Sequence, residues 1–159
     1  MSTFETLITS LADGACRGDG AAVAACFTED GYYHDCFYGS FQGQAIKDMI
    51  ENYFHRDSEN LVWDMHTPVE AGSVGYARYV FSYDSKLPEA RGKRAVFEGV
   101  SICRLRDGLI EEYREVAHSI SGLQLLGFDN ERVIKLLARE SKELLARDES
   151  RHHVRNADD

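Results

Sequence analysis

Positive charge is scarce in this sequence: 18 lysine and arginine residues stand against 27 aspartate and glutamate residues, a net charge of −9 over 159 residues. Such a surface repels phosphate backbones instead of exchanging counterions with them, which argues against nucleic acid as a partner. Long apolar runs are missing too. No segment approaches the roughly 20 consecutive apolar residues that cross a bilayer, and the opening MSTFETLITS lacks the basic start and continuous apolar stretch of a secretory signal. The expectation is a cytoplasmic protein with no membrane partner. Cys16, Cys26, Cys36 and Cys103 form no CxxC pair, and the histidines (His34, His55, His66, His118, His152, His153) show no ligand spacing. Neither a metal nor another cofactor is expected, and the thiols read as reduced and packed.

What is there fits one domain. At 43% hydrophobic residues the chain can bury a real core and an internal cleft. Ser2-Thr3-Phe4-Glu5 has the form of a capping box, and Phe4, Leu7, Ile8, Leu11, Ala12 and Ala15 follow helical spacing up to Gly18. Asp19 can cap a shorter helix carrying Val23, Cys26 and Phe27, which ends at Thr28-Glu29-Asp30-Gly31, a turn signal. After the strand GYYHDCFYG and a return through Phe41, a third helix places Ile46, Met49, Ile50, Tyr53 and Phe54 on one face.

Four segments rich in β-branched and aromatic residues follow, at about 60 to 70, 74 to 84, 93 to 105 and 109 to 119. Their turn-like separators suggest an antiparallel meander. A short apolar turn (Leu123, Leu125, Leu126) leads to a helix at about 130 to 147 with Val133, Ile134, Leu137, Leu144 and Leu145 on one stripe. The charged tail from about 150 to 159 is expected to be disordered. Helices followed by a long-stranded sheet read as α+β, with the early helices covering one face of a curved sheet. The cone between them is a natural small-molecule pocket. The uncovered face is apolar enough to predict a homodimer through the sheet.

Strand alternation places Tyr33, Asp35 and Phe37 on one face of GYYHDCFYG and Tyr32, His34 and Cys36 on the other. Burial among rings raises a carboxylate's pKa from about 3.9 toward neutrality and suits it to proton transfer. Alternatively, Asp35 serves the turn near Gly39 through backbone hydrogen bonds. In the last strand Tyr113 and Glu115 share a face. A two-residue Asp107-Gly108 hairpin pairs Ile102 with Tyr113, whereas a bulged three-residue loop pairs Ser101 with Tyr113, so Glu98 is either a pocket acid or an outer-face residue. Trp63, Phe54 and Phe37 are candidate wall residues, together with Tyr113. Arg78 either orients a substrate oxygen or pairs with an acid such as Glu98.

The order of these elements, with Gly18-Asp19, Phe27-Thr28-Glu29-Asp30-Gly31, Phe41-Gln42-Gly43 and Arg106-Asp107-Gly108-Leu109-Ile110 leading into Tyr113-Arg114-Glu115, resembles the nuclear transport factor 2-like superfamily. Within it the chain is most similar to SnoaL-like and ketosteroid-isomerase-like members, over roughly residues 4 to 119. The resemblance implies a cystatin-like α+β cone, taken as a domain over residues 1–128; the helix read from spacing, over 129–149, is expected to pack on that domain or on a partner chain. It implies a hydrophobic small-molecule ligand, and Asp35 falls where ketosteroid isomerases keep their general base. Their helix-one tyrosine falls near Leu11 and their protonated aspartate near Ser101 or Ile102, so neither donor is kept. Limonene epoxide hydrolases match at Tyr113-Arg114-Glu115 and Tyr33-His34-Asp35, but their Arg-x-Asp pair would need an acid at Val80. The reading is cofactor-free isomerisation, cyclisation or dehydration of a hydrophobic carbonyl compound. Asp35 is the base and Tyr33 or Tyr113 the oxyanion donor; Glu115 is a further candidate catalytic residue, and Glu115 or Asp35 would activate water in a hydrolytic variant. The alternatives are a non-catalytic binding or dimerisation module, or epoxide-hydrolase-like water activation.

Overall fold

In the computed structural model, which describes residues 3–154, six strands form one curved open sheet in the order β2-β1-β6-β5-β4-β3. Helix α1 (Thr3–Arg17) buries Phe4, Ile8, Leu11, Ala12 and Ala15, the stripe read from spacing, against β3 (Ser58–Ala71). Ser2, the first residue of the expected capping box, lies outside the described residues. The helix and sheet approach closely because Gly75 carries no side chain: a Cβ there would stand 2.5 Å from the Phe4 ring.

Helix α2 (Gly20–Ala24) starts at Asp19, whose side chain accepts the Ala22 N–H, but it stops before Phe27. The expected Phe27 to Gly31 turn is instead the first half of strand β1 (Phe27–Asp35). It is pulled into the sheet because the Cys26 carbonyl accepts the Ile110 N–H and Phe27 lies opposite Ile110. The turn-like composition survives as an irregularity between Phe27 and Tyr32, where Gly31 passes the Ile110 carbonyl too closely for a Cβ.

β1 pairs antiparallel with β2 (Gly39–Gln42) and parallel with β6 (Leu109–Ala117), so the sheet is not wholly antiparallel. β3, β4 (Val74–Ser85), β5 (Arg94–Arg106) and β6 form the expected meander. At the last turn Asp107 and Gly108 both have positive φ, 54° and 78°, and close a two-residue hairpin between Arg106 and Leu109. A register shift after Leu105 then places Cys103, not Ile102 or Ser101, opposite Tyr113. Phe97, Gly99, Ser101 and Cys103 consequently face inward, and Glu98 faces out.

Helix α3 (Gln44–Met49) runs through a π-helical turn (Ile50–Phe54) into α4 (His55–Asp57). Ile46, Met49, Ile50 and Phe54 are buried as one face requires, while the widened turn leaves Tyr53 at the surface. Past the sheet, α5 (Ser119–Leu125) packs on β5, with Gly122 directly over the Phe97 ring. Helix α6 (Asn130–Leu145), capped by Asp129, touches its own domain through Leu136 and through Arg139, which donates to the Cys36 carbonyl. Asp148–His153 forms a 3-10 helix, so residues 150–153 of the expected disordered tail are ordered. Arg114 and Arg147 hold Glu149 there, and Ser150 is buried; residues 155–159 lie outside the described residues. Among the described residues no helix is long and apolar enough to cross a membrane. All four cysteines are free, and burial pushes the thiols of Cys26 and Cys103 up to about 11 and about 12.

Candidate active site

Asp35 is the last residue of β1 and 3% exposed. Strand alternation puts Tyr33 on the same face behind it, while Phe37 reaches the same pocket from the turn that follows β1. Immediately after it the chain turns back on the carboxylate, whose Oδ1 accepts the N–H groups of Phe37 (2.8 Å) and Tyr38 (2.9 Å). Both readings of this residue therefore describe the same side chain: it organises a turn and it is enclosed by rings. Burial raises its pKa, the Glu115 charge raises it further, and the two backbone N–H groups and Arg139 oppose the rise. The balance lies upward, from an ordinary 3.8 to about 7.

Glu115 comes from β6 and gathers a second polar set. Its Oε1 accepts the Cys36 N–H at 3.2 Å, and its Oε2 accepts the hydroxyls of Tyr79 at 2.5 Å and Tyr113 at 3.3 Å. Ser101, fully buried on β5, lies 3.0 Å from the Tyr113 hydroxyl. Because the single Tyr113 proton is directed at Glu115, Ser101 donates to Tyr113. Burial, followed by the Glu115 charge, holds the Tyr79 and Tyr113 hydroxyls far above the ordinary phenol range, so both remain neutral donors.

Asp35 and Glu115 line one small pocket of about 20 Å³ with Tyr33, Trp63, Tyr79 and Phe97. That volume admits a group about the size of one water. The indole N–H of Trp63 is buried and finds no acceptor among the described residues. On the far side of Phe37, Phe54 and Phe81 lies a larger chamber of about 370 Å³, and these three rings line both spaces. Glu115 and Cys36 also border an open groove beneath α6, so the carboxylate reaches toward solvent on the side away from the chamber.

The profile of the SnoaL-like domain matches residues 8–113, most of the chain. The chain belongs to the SnoaL-like family. A search of the curated proteins finds no match. Among solved structures, a protein of ketosteroid isomerase-like fold from Catenulispora acidiphila, in complex with trimethylamine, is 19% identical with a TM-score of 0.66 over 79% of this chain and 95% of its own. IdmH from Streptomyces antibioticus, a candidate polyketide cyclase, is 15% identical with a TM-score of 0.64 over 78% of this chain and 98% of its own. An LEH-like epoxide hydrolase from M. tuberculosis is 12% identical with a TM-score of 0.62 over 85% of this chain and 94% of its own. At these identities the likeness shows the cone fold alone.

Within the SnoaL-like cone, the residues singled out from sequence separate into three groups. Asp35, Tyr33, Glu115, Trp63, Phe37 and Phe54 meet at the small pocket. Tyr113 lies one layer deeper, fully buried, stacked on Tyr33 at 4.4 Å and serving Glu115 instead of the cavity. Arg78 is not in the site. It points from the outer sheet face and pairs with Glu98 at 3.2 Å, because the alternation that turns Ala77, Tyr79 and Phe81 inward turns Arg78 out. Tyr79, Phe81, Tyr83 and Phe97 line these spaces without having been singled out. The signal was present in the same alternation, Ala77-Tyr79-Phe81-Tyr83 opposite Arg78. Among the described residues no three His, Cys, Asp or Glu side chains gather as metal ligands.

Proposed function

We propose that this SnoaL-like protein performs cofactor-free acid/base chemistry on a hydrophobic carbonyl compound, with Asp35 as proton acceptor. The reaction class is isomerisation, cyclisation or dehydration. The observation that carries the reading is the buried Asp35 carboxyl itself, enclosed by rings, close to Glu115 and poised near pH 7. A base at that pKa takes a carbon-bound proton at neutral pH and still returns it. The buried Trp63 N–H supplies a donor for the developing oxyanion in place of the Tyr33 and Tyr113 hydroxyls expected from sequence, of which Tyr113 is already engaged. Glu115, bordering both the pocket and the α6 groove, connects the proton to solvent. The protein works in the cytoplasm as a homodimer joined through the outer sheet face, where Val62, Tyr76, Val96, Val100 and Val116 stand exposed.

One observation favours a second reading. A pocket of about 20 Å³ with an Asp35 carboxylate satisfied by its own turn is also what a non-catalytic binding module would present. Epoxide-hydrolase-like use of Glu115 has no such support, since Arg78, the counterpart of the cationic partner in those enzymes, lies on the other face. Carbon-13 NMR titration of the aspartate carboxyls, assigned with Asp35→Asn, separates the two readings that remain. A midpoint near 7 for Asp35 supports the acid/base enzyme, whereas a midpoint below about 4 marks an ionised turn former and overturns it.

A further inference from the structure

The chamber of about 370 Å³ beyond the aromatic partition is within the range of ligand-binding cavities. Four of the thirteen residues that line it are not part of the cone. Leu123, Phe128, Arg132 and Leu136 come from α5, α6 and the segment between them, all outside the residues that match the family profile. The remaining wall is mainly aromatic, from Phe37, Tyr38, Phe54, Phe81 and Tyr83.

The polar groups at this chamber are already engaged, with one exception. Arg56 is bound through two nitrogens to Asp57, each at 2.7 Å, and Asp57 also accepts the Tyr38 hydroxyl at 2.9 Å. Arg132 pairs with Glu89 at 2.6 Å and lies over the Phe128 ring at 3.7 Å. Ser58 donates to the Phe54 carbonyl. The exception is the Tyr83 hydroxyl, which makes no hydrogen bond to any described residue. Each cation already has a carboxylate partner, so an anionic ligand would have to compete with Asp57 or Glu89 for it, and bringing a charge into the aromatic part of this lining without a partner is costly.

We propose that this outer chamber holds the body of the ligand and selects a neutral, flat, apolar compound of about two or three fused rings with one oxygen function, bound by the Tyr83 hydroxyl. Occupancy of the chamber stands on its lining alone. The further step, in which the oxygen-bearing end of the ligand passes Phe37 to reach Asp35, rests on the acid/base reading above. Phe37 suits that role because its own N–H is one of the two that hold the Asp35 carboxylate.

Fluorescence titration tests the chamber with two probes: prodan, a neutral naphthyl ketone whose emission reports polarity and hydrogen bonding, and 8-anilinonaphthalene-1-sulfonate, an aromatic anion. Prodan is expected to bind saturably, one per chain, and the sulfonate about tenfold more weakly or worse, a difference of about 1.4 kcal/mol. Leu136→Trp, which fills the chamber, should weaken prodan about tenfold or more. Tyr83→Phe should weaken it about threefold to tenfold and shift the bound emission to the blue as the carbonyl loses its donor. Val69→Trp, on the exposed outer face, should change nothing. Absence of saturable prodan binding, equal affinity for the sulfonate, or unchanged affinity and emission in Tyr83→Phe would each overturn the proposal. Should Leu136→Trp fail to fold, the Tyr83→Phe titration decides. An Asp35 midpoint below about 4 with prodan binding intact sinks the acid/base reading and leaves the chamber standing. A midpoint near 7 with no prodan site does the reverse.

Discussion

Asp35 is held by two opposing influences, and their balance is measurable. Two N–H groups stabilise the carboxylate, while burial and the Glu115 charge favour the neutral acid and win, raising the pKa from 3.8 to about 7. The folded chain therefore binds this proton more tightly than the unfolded chain does. Its contribution to stability is complete below about pH 4 and is withdrawn as the pH rises through 7. Wild-type melting temperature is thus expected to fall between pH 4 and pH 7.5 relative to Asp35→Asn, since each unit of the rise corresponds to about 1.4 kcal/mol. If the ionised form were the stabilising one, the asparagine variant would lose stability at pH 7.5 instead. With a substrate in hand, the same variant should turn over about two to four orders of magnitude more slowly while binding within severalfold. Tyr79→Phe tests the other carboxylate. It deletes the 2.5 Å bond to Glu115, and urea unfolding should show a loss of about 1.5 to 3 kcal/mol, the range for hydrogen bonds to charged groups.

At the scale of elements, the site depends on how closely β4, β5 and β6 approach one another. Gly99 on β5 is the point of closest fit. A Cβ there would meet the Tyr79 hydroxyl at 2.5 Å, its ring carbon at 2.6 Å and the Val116 carbonyl at 2.8 Å. The tyrosine can shift, but only by leaving Glu115; the backbone carbonyl cannot. Gly99→Ala should therefore cost about 1 to 3 kcal/mol by denaturant unfolding. Combined with Tyr79→Phe, which removes part of the clash, the loss should fall short of the sum of the two single variants by about 0.5 kcal/mol or more. Strict additivity would mean that Gly99 and Tyr79 do not share one contact. The π-helical turn at Ile50–Phe54 is a second element-scale device, because it directs Phe54 into the partition between the two cavities.

At the scale of the whole molecule, the helices and the sheet leave one broad surface uncovered. Val62 and Val96 flank Ser82, and Val100 lies between Arg78 and Val116, so apolar side chains run across adjacent outer strands at 37% to 59% exposure. A second copy of the same face is the cover this surface suits. Light scattering at micromolar concentration should give twice the 17.9 kDa chain mass, and Val100→Asp should return the single-chain value without loss of the folded spectrum. A wild-type protein that scatters as a single chain would contradict the dimer.

Local pattern by itself determined much of this molecule. The alternation in GYYHDCFYG placed Tyr33 and Asp35 on one face, though the strand ends at Asp35 and the turn carries Phe37 to the pocket; helical spacing set the buried stripe of α1, and the β-branched segments laid out the four-stranded meander, because periods of 2 and 3.6 residues follow from backbone geometry alone. Other outcomes needed the assembled chain. The stretch from Phe27 to Gly31 has turn composition and became strand because the edge of β6 was available to pair with it. Whether Ser101 or Glu98 faced the site depended on a one-residue shift after Leu105, which reverses every side chain beyond it and has no mark in the sequence. The meeting of Asp35 with Glu115, and the division of the cone by Phe37, Phe54 and Phe81, likewise join residues far apart in the chain. Periodicity shows which way a side chain points from its own strand; only the closing of the sheet on its helices decides what it meets.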